Sequence, residues 1–540
     1  MKAIGAGGAA ATAGQGCGAG PAGGMPNILL ITSDQQRKDS LRAYTDRAVT
    51  SPNLDMLATD GVIFDRCYTP HATCTPARAS ILTGQYASRH GAYTIGTTTP
   101  EDCLKMTDLL AAQGYATCGI GKMHFQPVST EGKFESPPRI FDEEFWRSFD
   151  GPYYGFQWTR MMNRHTSEDL ACRMRYAIWL KDHGLTEVDL QKYFHRQTGR
   201  WELPRDLHPS VFVAEHTIEA IDNCANREQP FFIWASFQDP HSPHVVPAPY
   251  DTMHDPNDIE LLEHREGEFA DKPLFYQQLY DRGGRQLPFS DRFGVPSCSS
   301  VKNMSVEACK NFSAVHHGMV TLLDEEVGRI VQALKERGLY DNTLIIFTTD
   351  HGDYLGNHGF RGKGFPAYEE VYNLPCIVKN PDQVNRGIRT QALLGTVDIA
   401  PTVLAAAGIG IPEVMQGVNQ WGVLTGKQSH IRDSFMIEDR AVQTGFYQKM
   451  LVTDRFKLVA YMGETCGELY DLQQDPNQFV NLWEKSQHAD RKQELLARLL
   501  AAGSEGNTRQ YESKGSDALL LELTQQMQSE GPLQERTSYS

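Results

Sequence analysis

Asn27-Ile-Leu-Leu-Ile-Thr-Ser33, followed directly by Asp34-Gln35, decides the architecture. Ile28 to Ile31 are apolar at consecutive positions rather than alternate ones, which suits a strand buried on both faces. Similar runs recur at Thr117–Ile120, Phe231–Phe237 and Leu344–Thr349, and Pro375–Val378 is a fifth candidate. Helical patterns lie between them. In Val315–Arg337, apolar residues fall at 315, 319, 322, 323, 327, 330, 331 and 334, and Gly338 is placed to end the helix. Buried strands alternating with amphipathic helices predict an α/β fold: a large, mostly parallel but mixed sheet sandwiched by helices. In such a sheet, polar residues just past the strand ends line the ligand crevice. Asp34 and Asp350 stand at two such ends.

Outside that frame the texture changes. Residues 1–24 are rich in Gly and Ala and too poor in large apolar residues for a secretory signal core, which predicts a disordered extension or a start at Met25. The Gly18–Gly23 stretch matches GxGxxG, but no strand precedes it and no helix follows, so it is no dinucleotide site. A catalytic domain is expected over 25–430, with aromatic- and Pro-rich inserts at about 126–210 and 250–300. A smaller C-terminal α+β domain is expected over 431–510. It would carry an antiparallel sheet with Lys449–Tyr461 as one strand and Glu468–Leu472 as another, then a helix near 488–502. A polar tail, 511–540, closes the chain.

The 540 residues carry 51 basic and 67 acidic side chains, a net charge of −16. That balance excludes a nucleic-acid surface, and an anionic substrate must be drawn in by local cations. No apolar run approaches the roughly 20 residues of a membrane span. With no visible signal peptide, a cytoplasmic location is the expectation. Eleven cysteines without a CxxC pair fit neither a zinc ribbon nor a disulfide scaffold and predict a mostly reduced protein.

Chemistry concentrates in Cys74-Thr-Pro-Ala-Arg78-Ala-Ser-Ile-Leu-Thr-Gly84. A cysteine at a helix start, with an arginine four residues on, favours a thiolate or another anion at position 74. Taken alone, a cysteine packed at a helix start would be the blander reading. The whole string, however, closely resembles the signature of the type I, formylglycine-dependent sulfatases of the alkaline phosphatase superfamily. Further segments resemble that family in the same order: Asp34-Gln35, Pro52-Asn-Leu-Asp55, Gly61–Phe64, Gly114-Tyr115, Gly121-Lys122-Met-His124, Pro240-His241-Ser-Pro243, Thr349-Asp350-His351-Gly352, Lys363 and Glu468–Leu472. The likeness spans about residues 26–482.

The resemblance implies a sulfuric ester hydrolase acting on a sulfated carbohydrate or small molecule. Cys74 would be oxidised by a formylglycine-generating enzyme, and a hydroxyl of the hydrated aldehyde would attack sulfur to give a sulfated enzyme that collapses without attacking water. Asp34, Gln35, Asp350, His351 and residue 74 would hold one divalent metal ion, calcium first, with manganese or magnesium as alternatives. Arg78, Lys122 and His124 would orient the nucleophile. His241 and Lys363 would contact sulfate, His241 protonating the leaving oxygen. His244 and His358 are expected in the pocket wall.

Two positions depart from the commonest pattern: Gln35 replaces an acidic ligand, and His351 stands where many sulfatases carry asparagine. The resulting Asp-Gln…Asp-His set also resembles phosphonate monoester and phosphodiester hydrolases of the same superfamily. The Lys122-x-His124 pair favours the sulfatase reading, since those phosphonate hydrolases carry uncharged residues there. A catalytically inactive binding protein, or Cys74 as a plain thiolate metal ligand or redox group beside Cys67, are the readings from other classes.

Overall fold

The computed structural model describes residues 24–47, 49–128, 130–166, 173–194, 199–282, 298–381, 384–440, 447–461 and 463–503, with Leu521 and Gln525. The Gly/Ala-rich extension up to residue 23, nearly all of the polar tail, and 283–297 of the second insert lie outside the described residues.

The large sheet is built from β1 (Asn27–Ser33), β2 (Val62–Tyr68), β3 (Ala116–Lys122), β4 (Trp158–Met162), β5 (Phe231–Ser236), β6 (Thr343–Thr349), β7 (Asn373–Leu374), β8 (Cys376–Lys379) and β9 (Ile388–Gly395). β1 is central and runs parallel to β5 on one side and β6 on the other. The sheet continues in parallel from β5 through β3 to β4. Beyond β6 it turns antiparallel at β8, which pairs with β2; β7 joins the same edge of β2, and β9 runs parallel to β2. The sheet is mixed and mostly parallel, as predicted.

Every residue of β1, β5 and β6 is buried. The period-2 geometry of a strand explains why consecutive apolar residues are needed. Leu29 and Ile31 pack with Val213, Val320 and Val327, whereas Ile28 and Leu30 face Ile81 and Leu82 on the other side. These partners lie on α2 (Cys74–Thr83), α3 (Pro209–Ala225) and α4 (Val306–Glu336), α1 being Pro52–Asp60. Each fully buried Leu or Ile contributes about 1.5–3 kcal/mol, so the sheet needs both layers.

The structure corrects two expectations. α4 starts at Val306 rather than Val315, because the Ser305 hydroxyl caps it by accepting the Ala308 N–H at 3.1 Å. The predicted single strand Lys449–Tyr461 is two strands, β11 (Tyr447–Thr453) and β12 (Phe456–Tyr461). Their reversal is closed by Thr453 Oγ1, which accepts the Phe456 N–H at 2.9 Å. The first insert contributes β4 to the large sheet.

β10 (Ser434–Arg440), β11, β12 and β13 (Gly467–Asp471) form a separate four-stranded antiparallel sheet, against which α5 (Ala489–Gly503) packs. No described helix is long and apolar enough to cross a membrane. The nine described cysteines are free.

Candidate active site

Ser33 of β1 pairs with Thr349 of β6 in parallel register, so the next residues, Asp34 and Asp350, emerge side by side at the carboxyl edge. Parallel neighbours lie about 4.8 Å apart, which is why two sequence-distant carboxylates converge. Asp34, Cys74, Asp350 and His351 each offer a donor atom, all within 4.8 Å of one another, and all four residues are buried.

Cys74 is the first residue of α2, preceded by extended Thr73. Its Sγ lies 3.2 Å from His351 Nε2, 2.9 Å from Lys363 Nζ, and 3.8 Å from both Lys122 Nζ and Asp34 Oδ1. Burial opposes ionisation of the thiol, yet Lys122, Lys363 and His351 together hold it well below the ordinary cysteine value. One helical turn on, Arg78 is completely buried beneath the cluster. Its Nε donates to Asp350 Oδ2 at 2.9 Å. One terminal nitrogen reaches Asp34 Oδ2 at 3.3 Å, and the other bonds the Lys122 carbonyl at 2.6 Å and Ser236 Oγ at 2.7 Å. A planar fork is needed here, because a lysine could not reach both aspartates and the sheet edge.

Lys122 ends β3 and pairs with Asp34 Oδ2. The turn depends on Gly121, at φ 87°: a Cβ there would meet the Ser236 carbonyl oxygen at 2.0 Å. His124 is buried, and neither of its ring nitrogens has a hydrogen-bond partner. Burial pushes its pKa down to about 4, with the neighbouring Cys74 sulfur opposing. Lys363 Nζ donates to His241 Nε2 at 2.8 Å, and His241 Nδ1 faces the Ser242 carbonyl. The His241 proton therefore sits on Nδ1, and the proton directed at the cluster belongs to Lys363. Burial acts to lower the Lys363 pKa, but Cys74, Asp34 and Asp350 hold it above the ordinary lysine value.

The two aspartates differ. Burial and Cys74 press Asp34 upward, but Lys122, His241 and Arg78 outweigh them and hold it far below the carboxylate range. Asp350 is raised, first by burial and then by Asp34. Two such carboxylates with an imidazole form a donor set for a divalent cation. His351 Nδ1 lies 3.1 Å from the Gly352 carbonyl, an arrangement that places the ring proton there and leaves the Nε2 lone pair for a metal. Gln35, at φ 61°, donates its amide NH2 to Asp353, while its Oε1 is buried without a partner. An orphaned carbonyl oxygen on the residue next to Asp34 fits a cation ligand.

All the residues singled out from sequence thus gather at one sheet edge, apart from the two wall histidines. His358 is held between Glu268 (Nδ1 at 2.6 Å) and Glu370 (Nε2 at 3.4 Å), stacked on Tyr368, and His244 stacks on Phe312. The structure adds His165, just past β4. Its ring stacks on His241 with centroids 3.3 Å apart, and its Nε2 lies 3.1 Å from Lys122 Nζ. Reading Trp158–Met162 as a strand would have flagged His165 by the same strand-end rule that flagged Asp34.

Comparison with known proteins bears on the family and the fold. Residues 356–505 match the C-terminal region of N-sulphoglucosamine sulphohydrolase. An arylsulfatase of Clostridium perfringens is 29% identical over 497 residues, 90% of this chain and 96% of that one. An N-acetylglucosamine-6-O-sulfatase of Bacteroides thetaiotaomicron is 25% identical over 522 residues, covering 91% and 88%. The fold also superposes on a phosphonate monoester hydrolase of Agrobacterium radiobacter with a TM-score of 0.74 at 26% identity, over 89% of this chain and 96% of that one. Residues 26–409, most of the chain, match the family Sulfatase, and the protein is an enzyme of the sulfatase family.

Proposed function

We propose that the protein hydrolyses sulfate monoesters, those of carbohydrates first and aryl sulfates second, after a formylglycine-generating enzyme has converted Cys74 to Cα-formylglycine. The observation that carries this reading is the setting of Cys74: a helix-start residue held between the ammonium groups of Lys122 and Lys363, within 4.8 Å of a buried Asp-Asp-His donor set. A hydrated formylglycine supplies two hydroxyls on one carbon, one to attack sulfur and one to expel sulfate as the aldehyde re-forms. A divalent cation held by Asp34, Gln35, Asp350 and His351, with residue 74, supplies Lewis-acid charge for a sulfate oxygen. Calcium is the first choice, and the imidazole of His351 widens the selection toward manganese.

The side chains divide the remaining work. Arg78 fixes both aspartates and the floor of the site. The ammonium groups of Lys122 and Lys363 draw the sulfate group into an otherwise acidic protein, and the neutral ring of His124 orients the nucleophile at residue 74. His241 and Lys363 share the proton for the leaving oxygen, which the present geometry stores on Lys363 and directs at His241 Nε2. The carbohydrate preference is supported by the likeness to the N-acetylglucosamine-6-O-sulfatase.

A second reading, phosphonate monoester hydrolysis, draws on the Agrobacterium fold likeness and the Asp-Gln…Asp-His set. The cationic Lys122, paired with Asp34 at the site, argues against it. The test is a peptide mass map around position 74, paired with a screen of sulfated sugars and aryl sulfates beside phosphonate monoesters and phosphodiesters. Aldehyde at 74 and faster sulfate turnover are expected. Active protein carrying only unmodified cysteine would overturn the mechanism, and faster phosphonate turnover would favour the second reading.

A further inference from the structure

We infer that Glu135 is a positioning residue for the loop that carries His124, acting through the backbone rather than by touching substrate. The inference rests on the reading above, in which His124 works at residue 74. Glu135 lies in the first insert, 1% exposed. Its Oε2 accepts the His124 N–H at 2.9 Å, and its Oε1 accepts the N–H groups of Phe125 at 2.8 Å and Gln126 at 3.3 Å. The Tyr153 hydroxyl donates to the same Oε1 at 2.6 Å. Three successive N–H groups turned to one carboxylate form an anion-binding nest. None of these four partners is a cation, so the carboxylate is stabilised by the loop it organises.

The loop needs such a hold. His124 adopts φ 57°, a left-handed conformation rare for a residue with a Cβ, and the glutamate bonds to its own N–H and to the two that follow fix it there. The imidazole is thereby presented buried beside the Cys74 sulfur.

The same segment ties in two neighbouring strand ends. The Glu135 carbonyl accepts Asn163 Nδ2 at 2.9 Å, and Gln238 Nε2 donates to the carbonyls of Asn163 at 2.8 Å and Arg164 at 2.9 Å. The loops bearing His124, His165 and His241 thus meet at Glu135, the first held by its carboxylate and the other two linked through its backbone carbonyl, although Glu135 is itself outside every motif the sequence displays.

A double-mutant cycle tests this. Glu135→Gln puts an amide NH2 against backbone donors and is expected to lower kcat about 100-fold, the scale of a misplaced catalytic group, while KM changes little. In a His124→Ala background the same substitution should cost less than about 3-fold, because the residue it positions is gone. Tyr153→Phe, which keeps the carboxylate and removes one bond, should show a smaller loss with the same non-additivity, and it serves if Glu135→Gln does not fold. Equal losses with and without His124, or no loss at all, would overturn the inference. The cycle is read on whichever ester the wild-type enzyme turns over. A failure of the sulfate reading therefore shows in the wild type alone, and a failure of the positioning role shows in the cycle.

Discussion

Two buried polar regions of this protein differ in how completely they satisfy themselves. Beneath the C-terminal sheet, the carboxylate of Glu468 accepts the hydroxyls of Tyr276 at 2.8 Å, Tyr461 and Tyr470. Lys272 beside it bonds Tyr470 Oη at 2.9 Å and the Gln478 carbonyl, and lies over the rings of Tyr368 and Tyr470. At the sheet edge of the catalytic domain, by contrast, burial leaves Gln35 Oε1 and both His124 nitrogens without partners and crowds Lys122, Lys363 and His351 around one sulfur. Orphaned buried polar atoms cost stability that the first region avoids. The C-terminal region is complete as folded, whereas the sheet edge keeps polar atoms open for a ligand.

The largest effect is expected from Cys74→Ala. Turnover should fall on the order of 10⁴-fold or more, as for loss of a nucleophile. The thermal midpoint should hold or rise, since a charged cluster built for function is relieved. A large drop in the midpoint would mean that Cys74 belongs to the packing instead. Arg78→Ala comes next. It strips the shared cation from two buried carboxylates and should cost about 3–5 kcal/mol in urea unfolding, alongside lost activity.

Glu468→Gln probes the finished region and should be milder. One amide oxygen cannot serve three phenols, so about 1–3 kcal/mol of stability should be lost while kcat stays near wild type. A comparable loss of kcat would erase the distinction between the two regions. The smallest effect is confined to acid pH. Burial favours neutral Glu370, but His358 and Arg37 pull its pKa from 4.5 to about 2. A depressed carboxylate contributes stability above its unfolded value, and that stability disappears as pH falls through the folded value. The gap in melting temperature between wild type and Glu370→Gln should therefore be constant above about pH 5 and close between about 4.5 and 2.

Much of the site was legible because its residues fall at strand ends or in short motifs. Asp34 and Asp350 follow apolar runs whose period and length identify them as buried strands, and Cys74 and Arg78 sit one helical turn apart. The rest was hidden for specific reasons. Trp158-Thr-Arg-Met-Met162 carries an arginine at its centre and sits in an aromatic-rich insert, so it does not stand out as a strand, and His165 went unseen with it. The reversal at Asp454-Arg455 breaks a continuous alternation without a Gly or Pro to mark it.

By itself, then, the sequence determined the layered α/β frame, the position of Cys74 at a helix start, and the chemical types brought to the sheet edge. These follow from local periodicity and short spacings, which are encoded within a few turns of chain. Tertiary structure alone decided that Lys363 reaches Cys74 across 289 residues and that His165 stacks on His241. It also decided that Glu135 clamps the His124 loop and that the Gln35 carbonyl is left without a partner. Those outcomes depend on strand order and register, which no local pattern contains, because the energy that selects them is the burial and hydrogen bonding of the whole sheet.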